Sequence, residues 1–173
     1  MALTYQAIAT VTVGSGGAAN IEFTSIPGTY TDLLLKLSTR STNASARTQL
    51  FVKYNDSSSN YTGRRLYGED GGVSSDTLSG STGYSFGITC GDTATANTFG
   101  SAEVYIPNYA GSNNKSSSTD SVIENNSSAT YDNWLTANLW SDSSAITKIS
   151  VTLSAGNFKQ YSTATLYGIK NTV

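Results

Sequence analysis

The sequence predicts an all-β fold, an antiparallel β-sandwich of jelly-roll-like type. Three observations carry this. Apolar residues recur with a period of two along almost the whole chain. Charged residues are only 13% of the 173 residues, well under the usual quarter. Ser, Thr, Asn and Gly fill the gap, which suits sheets and polar loops and starves amphipathic helices of Glu, Lys and Arg. Turn signals then separate short runs, and no convincing helix intervenes. A chain of this length reads as one domain, residues 1–173. Size scaling allows it to bury about two-thirds of its unfolded surface.

The elements follow in order. Tyr5, Ala7, Ala9, Val11 and Val13 alternate with Gln6, Thr10 and Thr12, and Ile8 breaks the alternation. After the loop GSGGAAN, Ile21 and Phe23 alternate with Glu22 and Thr24, so the two runs read as a hairpin. The stretch SIPGTYTDLLLKLSTR comes next, with Pro27-Gly28 as its turn. Leu33, Leu35 and Leu37 share one face, and Leu34, Lys36 and Ser38 the other. A mostly apolar second face marks a central strand. A short buried helix competes, but about eight residues between a Pro-Gly turn and a Ser/Thr cluster are too few for a good helix.

Further strand-like runs are TQLFVKYN, YTGRRLYG, GYSFGITC, FGSAEVYIPN and DSVIEN. NWLTANLWS puts Trp134, Thr136, Asn138 and Trp140 on one face. Leu135, Ala137 and Leu139 take the other. ITKISVTLSAG and STATLYGIK close the chain. The total is about ten strands. Long polar loops are expected at Asn55–Asn60, Glu69–Ser81, Gly111–Asp120 and Asn125–Asp132. Arg64-Arg65, the only basic doublet, reads as a solvated strand end.

Composition excludes several chemistries. The chain has no histidine and one cysteine, Cys90. An intrachain disulfide, an ordinary zinc site and a Ser-His-Asp triad are therefore out. Cys90 reads as a small buried or edge residue. A net charge of -2 without a basic stripe gives nucleic acid no footprint. No apolar run reaches the roughly 20 residues of a membrane helix, and the N-terminus has no signal-peptide pattern. Glu69, Asp70 and Asp76 share a glycine-rich stretch that could attract calcium. It lacks the alternating EF-hand spacing and reads as a solvated turn. GSGG lies between strands and offers no helix N-terminus to a phosphate. Glu22, Glu103 and Glu124 alternate with apolar residues and read as solvent-facing, so no carboxylate pair for glycoside cleavage stands out. No cofactor or metal ligand set is expected, and the chain does not read as an enzyme. The sequons at Asn43, Asn55, Asn60, Asn114, Asn125 and Asn126 follow from the abundance of Asn, Ser and Thr. Two loop aromatics, Tyr109 and Tyr131, sit beside amides and an aspartate and are the candidate ligand-binding residues, as stacking platforms for a sugar. The competing reading makes them loop anchors or interface residues.

Ile26, Pro27, Tyr30, Thr31, Asp32 and Leu33, with Ala164, Leu166, Tyr167, Gly168 and Ile169 near the other end, carry a resemblance. Together with the opening YQAIATVTV run, they resemble small structural proteins of tailed bacteriophages of marine and cyanobacterial type. The resemblance covers about a third of the chain and involves packing and turn residues. It implies a β-sandwich virion component made in the host cytoplasm. The leading expectation is a capsid decoration (cement) protein that binds the major capsid protein or other virion proteins, as a homo-oligomer such as a trimer. The alternative is a tail-fibre or receptor-recognition module that binds host surface glycans.

Overall fold

A computed structural model describes residues 4–69, 71–80, 83–126 and 131–170. Among these, twelve strands and no helix occur. They are β1 (Tyr5–Thr12), β2 (Asn20–Phe23), β3 (Asp32–Thr39), β4 (Arg47–Tyr54), β5 (Tyr61–Glu69) and β6 (Gly72–Gly80). Then come β7 (Tyr84–Cys90), β8 (Gly100–Pro107), β9 (Lys115–Ile123), β10 (Asp132–Trp140), β11 (Ile149–Leu153) and β12 (Thr163–Ile169). All pairings between these strands are antiparallel. An eight-stranded sheet runs β1-β12-β3-β8-β9-β10-β5-β6, and a four-stranded sheet runs β2-β11-β4-β7. The fold is a β-sandwich, as the period of two implied.

The core lies between the sheets. Leu33, Leu35 and Leu37 of β3 meet Leu50, Val52 and Tyr54 of β4, with Phe86, Val104, Ile106, Trp140, Ile149, Val151 and Leu166 around them. β3 is a strand in mid-sheet, between β12 and β8, and the short-helix alternative falls away. Asp32 starts it. Its carboxylate accepts from the Asn108 backbone N–H at 2.9 Å and the Tyr105 hydroxyl at 2.9 Å, so it ties β3 to β8. The two motifs that carry the phage resemblance touch each other. A Cβ built on Gly168 would fall 2.3 Å from Cγ of Tyr30, so only glycine lets that ring lie on β12.

Four expectations need correction. β1 and β2 are not a hairpin: β1 pairs with β12 and β2 with β11, in different sheets. Glycines in GSGGAAN permit a reversal, but they do not say whether the chain returns to the same sheet or crosses the sandwich. A β-bulge between Ala7 and Ala9 shifts the register of β1. It turns Ile8 toward the core and leaves Tyr5 and Ala7 exposed, although strict alternation grouped them with Val11 and Val13. Two expected loops hold strands, β6 within Glu69–Ser81 and most of β9 within Gly111–Asp120. Their inward residues in these stretches are polar except Leu78, so no apolar period showed. On β9, Ser121 accepts from Ile88 N–H at 2.9 Å and donates to Ile88 C=O at 3.1 Å. It packs so near Gly87 that a Cβ there would meet its Oγ at 2.7 Å. Finally, Arg64-Arg65 lies in mid-strand, and Arg65 is buried.

The expected loop Asn55–Asn60 holds. Asn55 and Asp56 both have positive φ, 49° and 57°, inside a turn closed by Ser57 N–H to Tyr54 C=O at 2.9 Å. Asparagine and aspartate tolerate that left-handed pair better than most residues. Of Asn125–Asp132, residues 127–130 lie outside the described residues, and so does Asp70.

Candidate functional site

The two tyrosines nominated from sequence do not form a site. Asn108 turns the chain at φ 50° and aims Tyr109 inward. The ring is fully buried in the core, and its hydroxyl donates to the Pro27 carbonyl. Tyr109 is therefore a loop anchor and offers no ring face to a sugar. Tyr131 is 37% exposed, with its hydroxyl 3.4 Å from where a Gly71 Cβ would sit. Tyr109 follows β8 beyond Pro107, at the end where β3 begins. Tyr131 precedes Asp132, which pairs with Ile123 at the far end of β9. The structure keeps the two apart.

Most carboxylates are committed to cations. Glu22 pairs with Lys148 at 3.1 Å and Glu103 with Lys36 at 3.1 Å, both near the surface. Glu69 and Asp132 stand opposite each other across β5 and β10 and share Arg47, which reaches Asp132 at 3.1 Å. Asp76 pairs with Arg65. That arginine lies 3.9 Å above the Trp134 ring and 4.4 Å above Tyr67. Glu69 and Asp76, two of the calcium candidates, are thus spent on separate arginines. The structure brings Glu69 together with Asp132, a pairing that strand register decides and spacing could not reveal.

Two concave regions stand out. One, of about 480 Å³, lies between Arg47, Glu69, Asp132 and the Arg65-Trp134 stack. Its ionic groups neutralise one another. The other, of about 520 Å³, opens where the turn after Phe158 faces the segment between β7 and β8. Tyr161, Gln160 and Lys159 form one wall, and Asp92, Ala96, Asn97 and Phe99 form the other.

Arg40 builds the second wall. Its guanidinium is buried and donates to the carbonyls of Ala94 at 2.9 Å, Thr95 at 2.8 Å, Thr98 at 2.8 Å and Asp92 at 3.2 Å. Four backbone acceptors on one rigid fork fix the loop as no lysine could. Lys159 bridges the walls with an ion pair to Asp92 and holds that carboxyl below its ordinary range. Cys90 lies beneath this loop, where burial raises its thiol pKa and the side chain packs against Ile88, Ala94, Ile123 and Trp134.

Tyr161 is 69% exposed with φ 71°. It occupies the third position of a turn closed by Ser162 N–H to Lys159 C=O at 3.1 Å, and its own N–H donates to Val13 C=O at 3.0 Å. Positive φ at that position is usually glycine's. Sequence reasoning passed over Tyr161. The available signal was an aromatic flanked by polar residues, KQYS, between two strand runs.

The outer face of the eight-stranded sheet is the third feature. Alternation places Leu66 and Leu135 there as direct partners across β5 and β10, with Val73 of β6 diagonal to Leu66 and Val122 of β9 diagonal to Leu135. Leu135 is 58% exposed and Val73 77%. Asp120 stands opposite Leu135 and the row continues through Glu103 to Lys36, Arg64 lies two residues from Leu66, and Gly68, Asn133, Ser75 and Ser101 fill the gaps.

No family model matches this chain, and no curated protein matches it.

Proposed function

We propose that this protein is a structural component of a bacteriophage virion, a capsid decoration protein that binds the assembled shell. The observation that carries the reading is the exposed outer face of the eight-stranded sheet, where Leu66 and Leu135 are direct cross-strand partners and Val73 and Val122 lie on their diagonals. An exposed group of large apolar side chains on a sheet face, rimmed by polar and charged residues, is the kind of surface that partners cover. Strand order supports the same reading. The set β1-β12-β3-β8 against β2-β11-β4-β7 interleaves as in a jelly roll, with the β5–β6 and β9–β10 hairpins extending one sheet. Jelly rolls build viral capsid domains, and the motifs around Tyr30 and Gly168 resemble those of phage structural proteins. The partner is the major capsid protein, met by a symmetric homo-oligomer such as a trimer. Binding to the shell and not to free subunits stabilises the particle by mass action.

Counting copies in purified virions, with imaging, tests this. Many copies spread over the shell are expected, and a handful at the tail would sink it. Leu135→Asp should abolish rebinding to stripped shells while the isolated protein keeps its melting temperature.

A receptor-recognition module is the second reading. The cleft beside Tyr161 favours it, and jelly rolls also serve as lectin domains.

A further inference from the structure

We propose that the cleft beneath Tyr161 binds a saccharide stacked on the Tyr161 ring. The inference deepens the receptor-recognition reading and rests on it for its biological use.

Four features converge on this ligand class. The first is the platform. Tyr161 stands mostly in solvent at φ 71° and is no part of the core. A bulky residue in that conformation is strained, and glycine would sit there without cost. Strain of this kind concentrates at binding sites, where it fixes the direction of a side chain. Here the Tyr161 N–H bond to Val13 and the Ser162–Lys159 turn bond clamp the ring's base.

The second is the chemistry of the lining. Asn97, Asn157 and Gln160 supply amide donors and acceptors, and Asp92 supplies a carboxylate. A pyranose presents an apolar C–H face and a rim of hydroxyls. An electron-rich ring face accepts the former, and mixed amide and carboxylate groups accept the latter.

The third is preorganisation. Arg40 holds the 92–98 wall through four carbonyls, so the wall is ordered before any ligand arrives and little entropy is lost on binding. The fourth is size. About 520 Å³ falls within the 300–1,000 Å³ of small-ligand sites. Asp92 is the single carboxylate in the lining, whereas glycoside cleavage ordinarily needs two, so the site binds without cutting.

The test is a glycan array probed with the full chain, then calorimetry with the strongest saccharide. Wild type, Tyr161→Gly, Gln160→Ala and Tyr131→Ala are compared. Tyr161→Gly should lose binding by at least about tenfold, the loss of one stacking contact. It should also melt about 1–4 °C higher, because glycine relieves the left-handed strain. That rise separates a lost contact from a lost fold. Gln160→Ala should weaken binding about threefold to tenfold, the loss of one hydrogen bond, and Tyr131→Ala should leave it unchanged. Wild-type affinity in Tyr161→Gly would overturn the site and leave the receptor reading standing. A wild-type protein that binds no saccharide would overturn both. Loss of shell binding in Tyr161→Gly, with saccharide binding intact, would overturn the site and make the cleft a protein interface.

Discussion

Gly168→Ala tests the contact between the two phage-like motifs. A Cβ at this position would lie 2.3 Å from Cγ of Tyr30 and 2.5 Å from both Cδ atoms. Ordinary carbon contacts need about 3.5–4.0 Å, so the ring must retreat by more than about 1 Å. Tyr30 is half-buried against the core, with the Lys170 ammonium 5.5 Å from its ring centre. It can swing outward only by giving up that packing. Overpacking of this kind costs about 1–3 kcal/mol. At 2–4 °C per kcal/mol for a domain of this size, a cost of about 2 kcal/mol lowers the melting temperature by about 6 °C. The assay is thermal unfolding of wild type, Gly168→Ala, Tyr30→Ala and the double variant. With the Tyr30 ring removed, Gly168→Ala should cost almost nothing, because the two sites share one contact. A single variant that melts within about 1 °C of wild type refutes the reasoning. So does an undiminished loss in the Tyr30→Ala background.

Arg40→Ala removes a buried guanidinium that bonds four loop carbonyls, of which that of Ala94 is buried, and should cost about 2–4 kcal/mol in urea unfolding. Arg40→Lys should recover less than half of that loss, because an ammonium cannot span all four. Thr136 keeps a buried hydroxyl without a partner, so Thr136→Val should be neutral or stabilise by up to about 1 kcal/mol. A loss beyond about 1 kcal/mol in denaturant titration would contradict this. Burial raises the Tyr54 and Tyr84 phenols above their ordinary value, and the two hydroxyls bond to each other. A phenol with a raised folded pKa contributes its stability fully below the unfolded value of about 10, and loses it as pH climbs toward the folded value. Alkaline unfolding should therefore begin above about pH 10, and absorbance titration should find these tyrosines protonated until the fold opens. Ordinary titration of every tyrosine in the intact fold would refute it.

The sandwich was legible because its core strands obey the period of two. β4, β11 and β12 alternate plainly, β3 adds a second apolar face at Leu34, and Trp134 and Trp140 face inward as their spacing implied. DSVIEN marked only the end of β9, and the rest escaped because the inner face is Lys115, Ser117, Thr119 and Ser121, with only Ile123 apolar. Hydroxyls there satisfy the facing strand, and hydrogen-bonded burial leaves no hydrophobic signal. The order of strands was legible only as a class, since alternation tells which face a residue takes and not which neighbour it meets. Tyr109 misled because an aromatic in a polar loop looks the same in sequence whether the turn aims it in or out. Tyr161 escaped for the converse reason. Its exposure follows from a backbone conformation that tyrosine seldom adopts.

The pairing of β1 with β12 and of β2 with β11 bears on how the chain reaches its native state. Tyr5 meets Ile169, and Ile21 meets Val151. A ribosome releases the early strands long before their partners exist. The β5–β6 hairpin and the β8-β9-β10 ladder join segments close in sequence, so they can assemble first. The sandwich closes only when the last strand arrives, which makes folding slow and leaves β1 waiting with bare backbone. Its residues suit the wait. Between Tyr5 and Thr12 only Ile8 and Val11 turn toward the core, and the rest stay exposed even in the finished fold. A strand so sparsely apolar has little with which to aggregate while it is unpaired.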